Sequence, residues 1–191
     1  MLISAADVLR ERGAAGVTID EVLQRSGAPR GSVYHHFPDG RSQIVFEALQ
    51  YAGESITAVI DEAAAKGGLH LVHRFVEFWI SLLDDSDFTA GCPVVAAAIG
   101  GTEEEPGLTS VAGAIFGHWR DALTRAFEID GSEPAEAASL SITCIAALEG
   151  GVVLCRATRS IDPLREVDSQ LEFLIKSREF LRRFGVPTVS R

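Results

Sequence analysis

The chain of 191 residues is acidic, with a formal net charge of −10, and 47% of its residues are apolar. That apolar share excludes a disordered chain and predicts a well-filled interior; the charge excludes attraction of a polyanion in bulk, leaving only local geometry for such a task. Cys92, Cys144 and Cys155 form an odd set in a sequence with no basic-then-apolar leader, which predicts a reducing, cytoplasmic setting with the thiols as small core side chains.

Strand-type alternation and hairpin dipeptides are scarce, so the expected fold is all-α, with about nine helices. The first runs from Ile3 to Arg12 with Ile3, Ala6, Val8 and Leu9 inward, and Gly13 and Gly16 bracket its end. The second opens at Thr18, whose hydroxyl can cap the backbone while Glu21 reaches back; Ile19, Val22 and Leu23 face inward. Gly27 ends it by taking a left-handed conformation, and Pro29 suits the first turn of a short third helix that stops before Pro38. The fourth follows Asp39 and Gly40 and reaches Lys66, before Gly67 and Gly68. Further helices are expected at 69–83, 88–99 with Pro93 inside or starting it, 108–127, 134–158 and 164–184, with the acidic run at Glu103, Glu104 and Glu105 as a solvated loop. The stretch 137–155 approaches membrane-spanning length, but Glu149, Gly150 and Gly151 interrupt it, which favours a buried or dimer-forming helix over a membrane span.

Residues 1–47 hold five arginines and six acidic residues, so this part is nearly neutral while the rest is strongly acidic. Its two short helices joined at Gly27 and braced by the first make a helix-turn-helix. In such a motif the second helix of the pair enters the major groove with its N-terminal residues against base edges. Those residues are Pro29, Arg30, Gly31 and Ser32. Arg30 can bond guanine twice, Ser32 can reach a base or a phosphate, and Gly31 clears room for close approach. Tyr34 and His35 follow with polar tips suited to phosphates or a thymine methyl, while Val33, His36 and Phe37 turn inward. Thr18 and the N-terminus it caps offer a phosphate site, and Arg41 a further contact. Taken singly, Thr18 reads as a simple cap and Arg30 or Arg41 as a solvated charge; their joint spacing favours the interface.

The segment from Ala5 to Phe37, "AADVLRERGAAGVTIDEVLQRSGAPRGSVYHHF", resembles the DNA-binding domain of the TetR family of bacterial transcriptional regulators, with its tyrosine-x-x-phenylalanine ending at Tyr34 and Phe37. "GAPRGSVYHHFPDGR" and "GCPVVAAAIG" are similar to the LmrA/YxaF-like subgroup. The chain departs from the common pattern in three places. Ala28-Pro29 replaces a hydrophobic-serine pair, Gly40 stands where many members carry lysine, with Arg41 one position later, and no basic arm precedes the first helix. The resemblance implies a DNA-binding domain over 1–47 and a helical ligand-binding and dimerisation domain over 48–191. It also implies a homodimer on a palindromic double-stranded operator, released by a small, planar, mostly apolar or aromatic effector.

The last helix carries Val167, Leu171, Leu174, Arg178 and Leu181 at spacings of four and three, with Phe173 and Phe180 seven apart. Beside Ile142, Ile145, Ala146 and Val153 they could line a dimer interface or fill the monomer core. Phe75, Phe78, Trp79, Phe88, Phe116 and Trp119 form an aromatic group that is either core or the wall of an effector cavity, with His73, Cys92, His118 and Glu149 as its polar candidates. Glu149 is the most informative, since an unpaired carboxylate in an apolar helix is costly. No metal-binding or nucleophile motif is present, so no metal, cofactor or catalytic step is expected. The competing reading is an acidic helical carrier or enzyme on the same fold without operator recognition.

Overall fold

The computed structural model describes residues 1–100 and 107–185, and the acidic stretch 103–105 lies outside them. Among the described residues the fold is all-α, with nine α-helices and no strand. They are α1 (Leu2–Gly16), α2 (Ile19–Ser26), α3 (Val33–His36, preceded by a 3₁₀ turn at Arg30–Ser32), α4 (Arg41–Ala64), α5 (Gly68–Asp85), α6 (Pro93–Gly100), α7 (Leu108–Ile129), α8 (Pro134–Thr158) and α9 (Asp162–Phe184).

Local chemistry accounts for the bounds. Gly13 breaks the helical path of α1 at φ 70° and ψ −177°, so the regular part ends at Arg12 as its glycines imply. Thr18 Oγ1 accepts the N–H of Glu21 at 3.1 Å. The reverse half of the cap does not form, because Arg25 Nε takes the Glu21 carboxylate at 2.7 Å. Gly27 closes α2 in the left-handed conformation at φ 66°, where a Cβ would be strained. Pro134 occupies the first turn of α8, which spans the expected residues.

Of the two places open to Pro93, the structure takes the second: it starts α6, and the stretch 88–92 is not helical. Asp87 and Phe88 adopt φ of 50° and 59°. The N–H of Phe88 turns back to the carbonyl of Leu83 at 2.8 Å, so these residues finish α5 instead of starting α6.

One core runs through the whole chain, from Val8 and Leu9 in α1 through Ile44 and Leu49 in α4 to Trp79, Trp119 and Leu148. The helix α4 belongs to both parts, packing on α1 at one end and on α5 and α7 at the other. The helix α8 is long and apolar enough to cross a membrane by length and composition, but much of it lies inside the bundle. Its remaining apolar side chains, Ile142, Val153 and Leu154, are exposed. In α9 the row expected at an interface divides: Leu171 is buried, whereas Phe173, Phe180 and Phe184 stand out at 70%, 55% and 72% exposure. Arg178 bridges to Glu136 of α8 at 3.4 Å. The four-and-three stripe therefore begins as monomer core, and the phenylalanine row is the free apolar face.

Candidate nucleic-acid interface and enclosed cavity

The head is built on two buried anchors, Val33 and Phe37, which fix the 3₁₀ turn and α3 against the core. Pro29, Arg30, Gly31, Tyr34 and His35 then fall on the outer side, all exposed, with Ser32 half-buried beside them. His36, expected inward, is exposed as well, its ring edge-on to His35 at 5.1 Å. Four residues make barely one turn, so successive side chains fan outward and only Val33 and Phe37 reach the core. Ile3, also expected inward, is 61% exposed, while Ala5 on the opposite face of α1 is buried.

Charges on the head are mostly consumed within it. Arg25 clasps Glu11 through both terminal nitrogens at 2.9 and 2.8 Å. That hydrogen bond holds the Glu11 carboxyl below the usual carboxylate range and drives Arg25 up. Arg12 lies 3.3 Å from Glu21. Arg41, expected at a phosphate, is turned inward: its Nε donates to the carbonyl of Val17 and its Nη2 to that of Ala14, both at 2.7 Å. The Ala14 carbonyl already accepts the N–H of Val17 at 3.1 Å, and the guanidinium adds a second donor there and one to the Val17 carbonyl, tying the start of α4 to the α1–α2 junction. Arg30 alone projects from the reading face, and there it meets Asp20 at 2.7 Å with both side chains about three-quarters exposed. The Ser32 hydroxyl donates to the carbonyl of Pro29 at 2.6 Å, which leaves its oxygen free to accept. Thr18 is exposed at the start of α2.

Below the head, α4, α5, α7 and α8 enclose a cavity lined by Ile60, Leu71, Phe75, Trp119, Leu148 and Glu149, among others. It holds about 260 Å³ of space between atoms, but only about 10 Å³ can take the centre of a water-sized sphere. One water is its capacity as it stands. Of the aromatics expected there, Phe75 and Trp119 line it, their rings 6.2 Å apart. Trp79 packs behind Phe75 at 6.0 Å, and Phe116 stacks edge-on to Trp119 at 5.2 Å. Phe78 lies instead along an outer groove with Arg74 and Glu77. Ile60, Leu71, Leu123, Ile145 and Leu148 complete the walls, and nothing in the sequence separates them from ordinary core.

Both carboxylate oxygens of Glu149 are buried without a hydrogen-bond partner. Burial pushes its pKa up to about 7. The Cys92 thiol stands beside it without an aligned hydrogen bond and is itself held protonated by burial and by the neighbouring carboxyl. Cys92 faces a second, surface-open cavity of about 460 Å³ between α6 and α8. The other polar candidates are engaged elsewhere: His73 with Asp168 at 2.8 Å and His118 with Asp61 at 3.1 Å. Among the described residues no group of three or more metal-binding side chains is assembled.

The two sites are joined by a short latch absent from the sequence reading. Arg156, two turns beyond Glu149 on α8, donates to the carbonyls of Arg10 and Glu11 in α1. The N–H of Gly91 bonds the same Arg10 carbonyl at 2.9 Å. A Cβ at Gly91 would lie 2.8 Å from the Arg156 guanidinium and 3.3 Å from that carbonyl, so a side chain there would shift Arg156 and crowd the latch.

A capped helix pair presenting an exposed reading turn, set on a larger helical body, defines a helix-turn-helix transcriptional regulator. The comparisons with known proteins agree. Residues 2–48 match the model for bacterial regulatory proteins of the tetR family. Residues 69–170 match that for the C-terminal domain of LmrA/YxaF-like transcriptional regulators. The chain is 41% identical over 180 residues to an uncharacterized HTH-type transcriptional regulator of Mycobacterium tuberculosis, covering 92% of each. It is 25% identical to YxaF of Bacillus subtilis over 93% of this chain and 94% of that one, and 25% identical to the HTH-type transcriptional regulator LmrA of the same organism over 92% and 95%. Among solved structures, a TetR regulator from Legionella pneumophila superposes with a TM-score of 0.81 at 18% identity, over 91% of this chain and 94% of that one. The chain belongs to the TetR family of transcriptional regulators. Within it, the match over α5 to α9 places it with the LmrA/YxaF-like proteins.

Proposed function

We propose that the protein is a homodimeric repressor, acting in the cytoplasm, that holds a palindromic operator and releases it when a small, largely apolar or aromatic effector binds. The observation that carries this reading is the outward fan of Pro29, Arg30, Gly31, Tyr34 and His35 on a head whose other arginines are spent internally. Arg30 exchanges Asp20 for a guanine edge; Ser32 accepts from a base or approaches the backbone; Tyr34, His35 and the Thr18-capped start of α2 meet phosphates. Arg41 serves by holding the α1–α2 junction that aims the turn. Residues 1–47 act as the reading unit and 48–191 as the effector-binding and dimerising unit, with α4 shared between them.

The exposed row of Phe173, Phe180 and Phe184 with Ile142 and Val153 supports a two-fold interface through α8 and α9, because apolar faces of that extent mark association surfaces. The cavity around Phe75, Trp119 and Glu149 supports effector binding, with Trp79, Phe116, Cys92 and Phe78 behind or beside it. No covalent step, cofactor or metal enters this mechanism. The Arg156 and Gly91 latch gives the cavity helices a second hold on the head besides α4, so a ligand that moves α6 or α8 changes the spacing of the two reading turns. Release requires only that the effector bind the spread arrangement better than the DNA-competent one; typical coupling of about 1–3 kcal/mol lowers operator affinity roughly five- to hundred-fold.

A second reading, an acidic carrier or enzyme without operator recognition, draws on the fact that each head arginine already has a partner. Gel shift with the DNA flanking the gene separates the two. The repressor shifts a discrete fragment as a dimer against excess unrelated DNA, whereas no shift at low salt favours the carrier or enzyme.

A further inference from the structure

Glu149 is the buried group for which the fold has no use. Both of its oxygens lack a partner, and its interior surroundings favour the uncharged acid. An unpaired buried carboxyl weakens the protein, and an apolar residue of the same size would fill the place at lower cost. The cavity walls offer it nothing: Ile60, Leu71, Leu123, Ile145 and Leu148 carry no donor, and the indole N–H of Trp119 is turned to Thr57 Oγ1 at 2.8 Å. Among the described residues the only donor beside it is the weak S–H of Cys92, which is not aligned on either oxygen. What faces an entering molecule is an acceptor with two oxygens beside the ring of Trp119, whose face is electron-rich. That combination favours a positively charged nitrogen over a neutral hydroxyl, since hydrogen bonds to an ionised partner are the stronger ones.

Resting on the reading of this cavity as the effector site, we propose that it recognises an aromatic organic cation. The ammonium or amidinium N–H groups pair with Glu149 while the ring takes the place of Phe75 against Trp119. The cavity as it stands admits one water, so a ring enters only by displacing a side chain. Phe75 is the one placed to yield, because it lies between Trp119 at 6.2 Å and Trp79 at 6.0 Å. Trp79 carries the other partnerless polar atom of this aromatic cluster, its indole N–H. Charge selection at Glu149 then distinguishes the effector from the many neutral aromatic compounds that the apolar walls alone would accept.

The test uses naphthylmethylammonium and its near-isosteric neutral counterpart naphthylmethanol. Both are titrated into the full-length protein by tryptophan fluorescence, and into its complex with operator DNA by anisotropy. The expected result is roughly tenfold or tighter binding of the cation by the wild type. Glu149→Gln is expected to bring the two probes within about twofold of each other while leaving the affinity for the alcohol in place. Phe75→Ala, which empties the ring's position, is expected to tighten cation binding several-fold and keeps the test decisive if Glu149→Gln does not fold. Equal binding of both probes to the wild type, a preference that survives Glu149→Gln, or no gain in Phe75→Ala overturns the proposal. If the alcohol releases operator as well as the cation does, the effector reading stands and the cationic assignment falls. If neither probe binds, the cationic assignment falls while operator binding is still judged on its own.

Discussion

Replacing Glu149 by glutamine removes a charge that the interior does not neutralise, and its effect on stability is fixed in sign by the ionisation of that one group. The carboxyl is raised from an ordinary value of 4.5 to about 7 by burial. Below pH about 4.5 both the folded and unfolded chains hold the proton, and no penalty arises. Between pH about 4.5 and about 7 the folded chain keeps a proton that the unfolded chain has lost, so stability falls as pH rises. Above about 7 both are ionised and the penalty is complete, at roughly 3 kcal/mol. Glutamine does not titrate, and whatever its buried amide costs is independent of pH. The difference in stability between Glu149→Gln and wild type should therefore swing by roughly 3 kcal/mol in the variant's favour between pH 4.5 and pH 8. For a chain of this size that is roughly 6–12 °C in Tm. Thermal melts of both proteins at matched concentration across this range measure it. Curves of Tm against pH that run parallel would refute the reasoning and mean that the carboxyl is solvated or paired.

Three further predictions concern the head. Arg30→Ala should cost roughly 1–3 kcal/mol of operator affinity and relax preference at one position in each half-site, while Tyr34→Phe weakens all sequences alike; competition with a panel of single-base operator variants checks both, and uniform loss in Arg30→Ala would reassign it to the DNA backbone. Asp20→Asn frees Arg30 from an exposed pair worth about 0.2–1 kcal/mol, so operator affinity should rise by up to about fivefold, and unchanged or weaker binding by anisotropy would show that Asp20 orients the arginine usefully. Arg41→Ala deletes charged hydrogen bonds to Ala14 and Val17, each worth roughly 1.5–3 kcal/mol, so urea denaturation should show a loss of about 3 kcal/mol or more; full stability with weakened DNA binding would return Arg41 to a phosphate.

The head was legible because its signals are local. Thr18 and Glu21 are three residues apart, Gly27 follows at the turn, and each acts on neighbours in the chain. The same holds for α8, whose bounds follow from Pro134 and an unbroken apolar run. What was not legible depends on partners far away in sequence. Arg41 turns inward to carbonyls 24 and 27 residues earlier in the chain. Arg156 reaches α1 across 145 residues. The aromatic group could be recognised as a cluster, but which rings face the cavity is set by four helices at once, so Phe75 and Trp119 line it while Phe78 falls outside. The composition of residues 88–92 suits a helix and leaves the place of Pro93 open, whereas the left-handed turn at Asp87 and Phe88 commits them to closing α5 and leaves Pro93 to start α6.

The central claim is that this head binds operator DNA through few cations and a specific reading turn. Its most direct test is the affinity of the dimer for the fragment flanking its gene, followed by anisotropy over a range of salt concentration. With Arg30 the one projecting arginine in each head, about two charges per dimer correspond to a slope of log K against log salt of roughly −2. The account predicts that slope, together with retained preference for the flanking fragment over unrelated DNA. A slope near zero, or no binding at low salt, would contradict it.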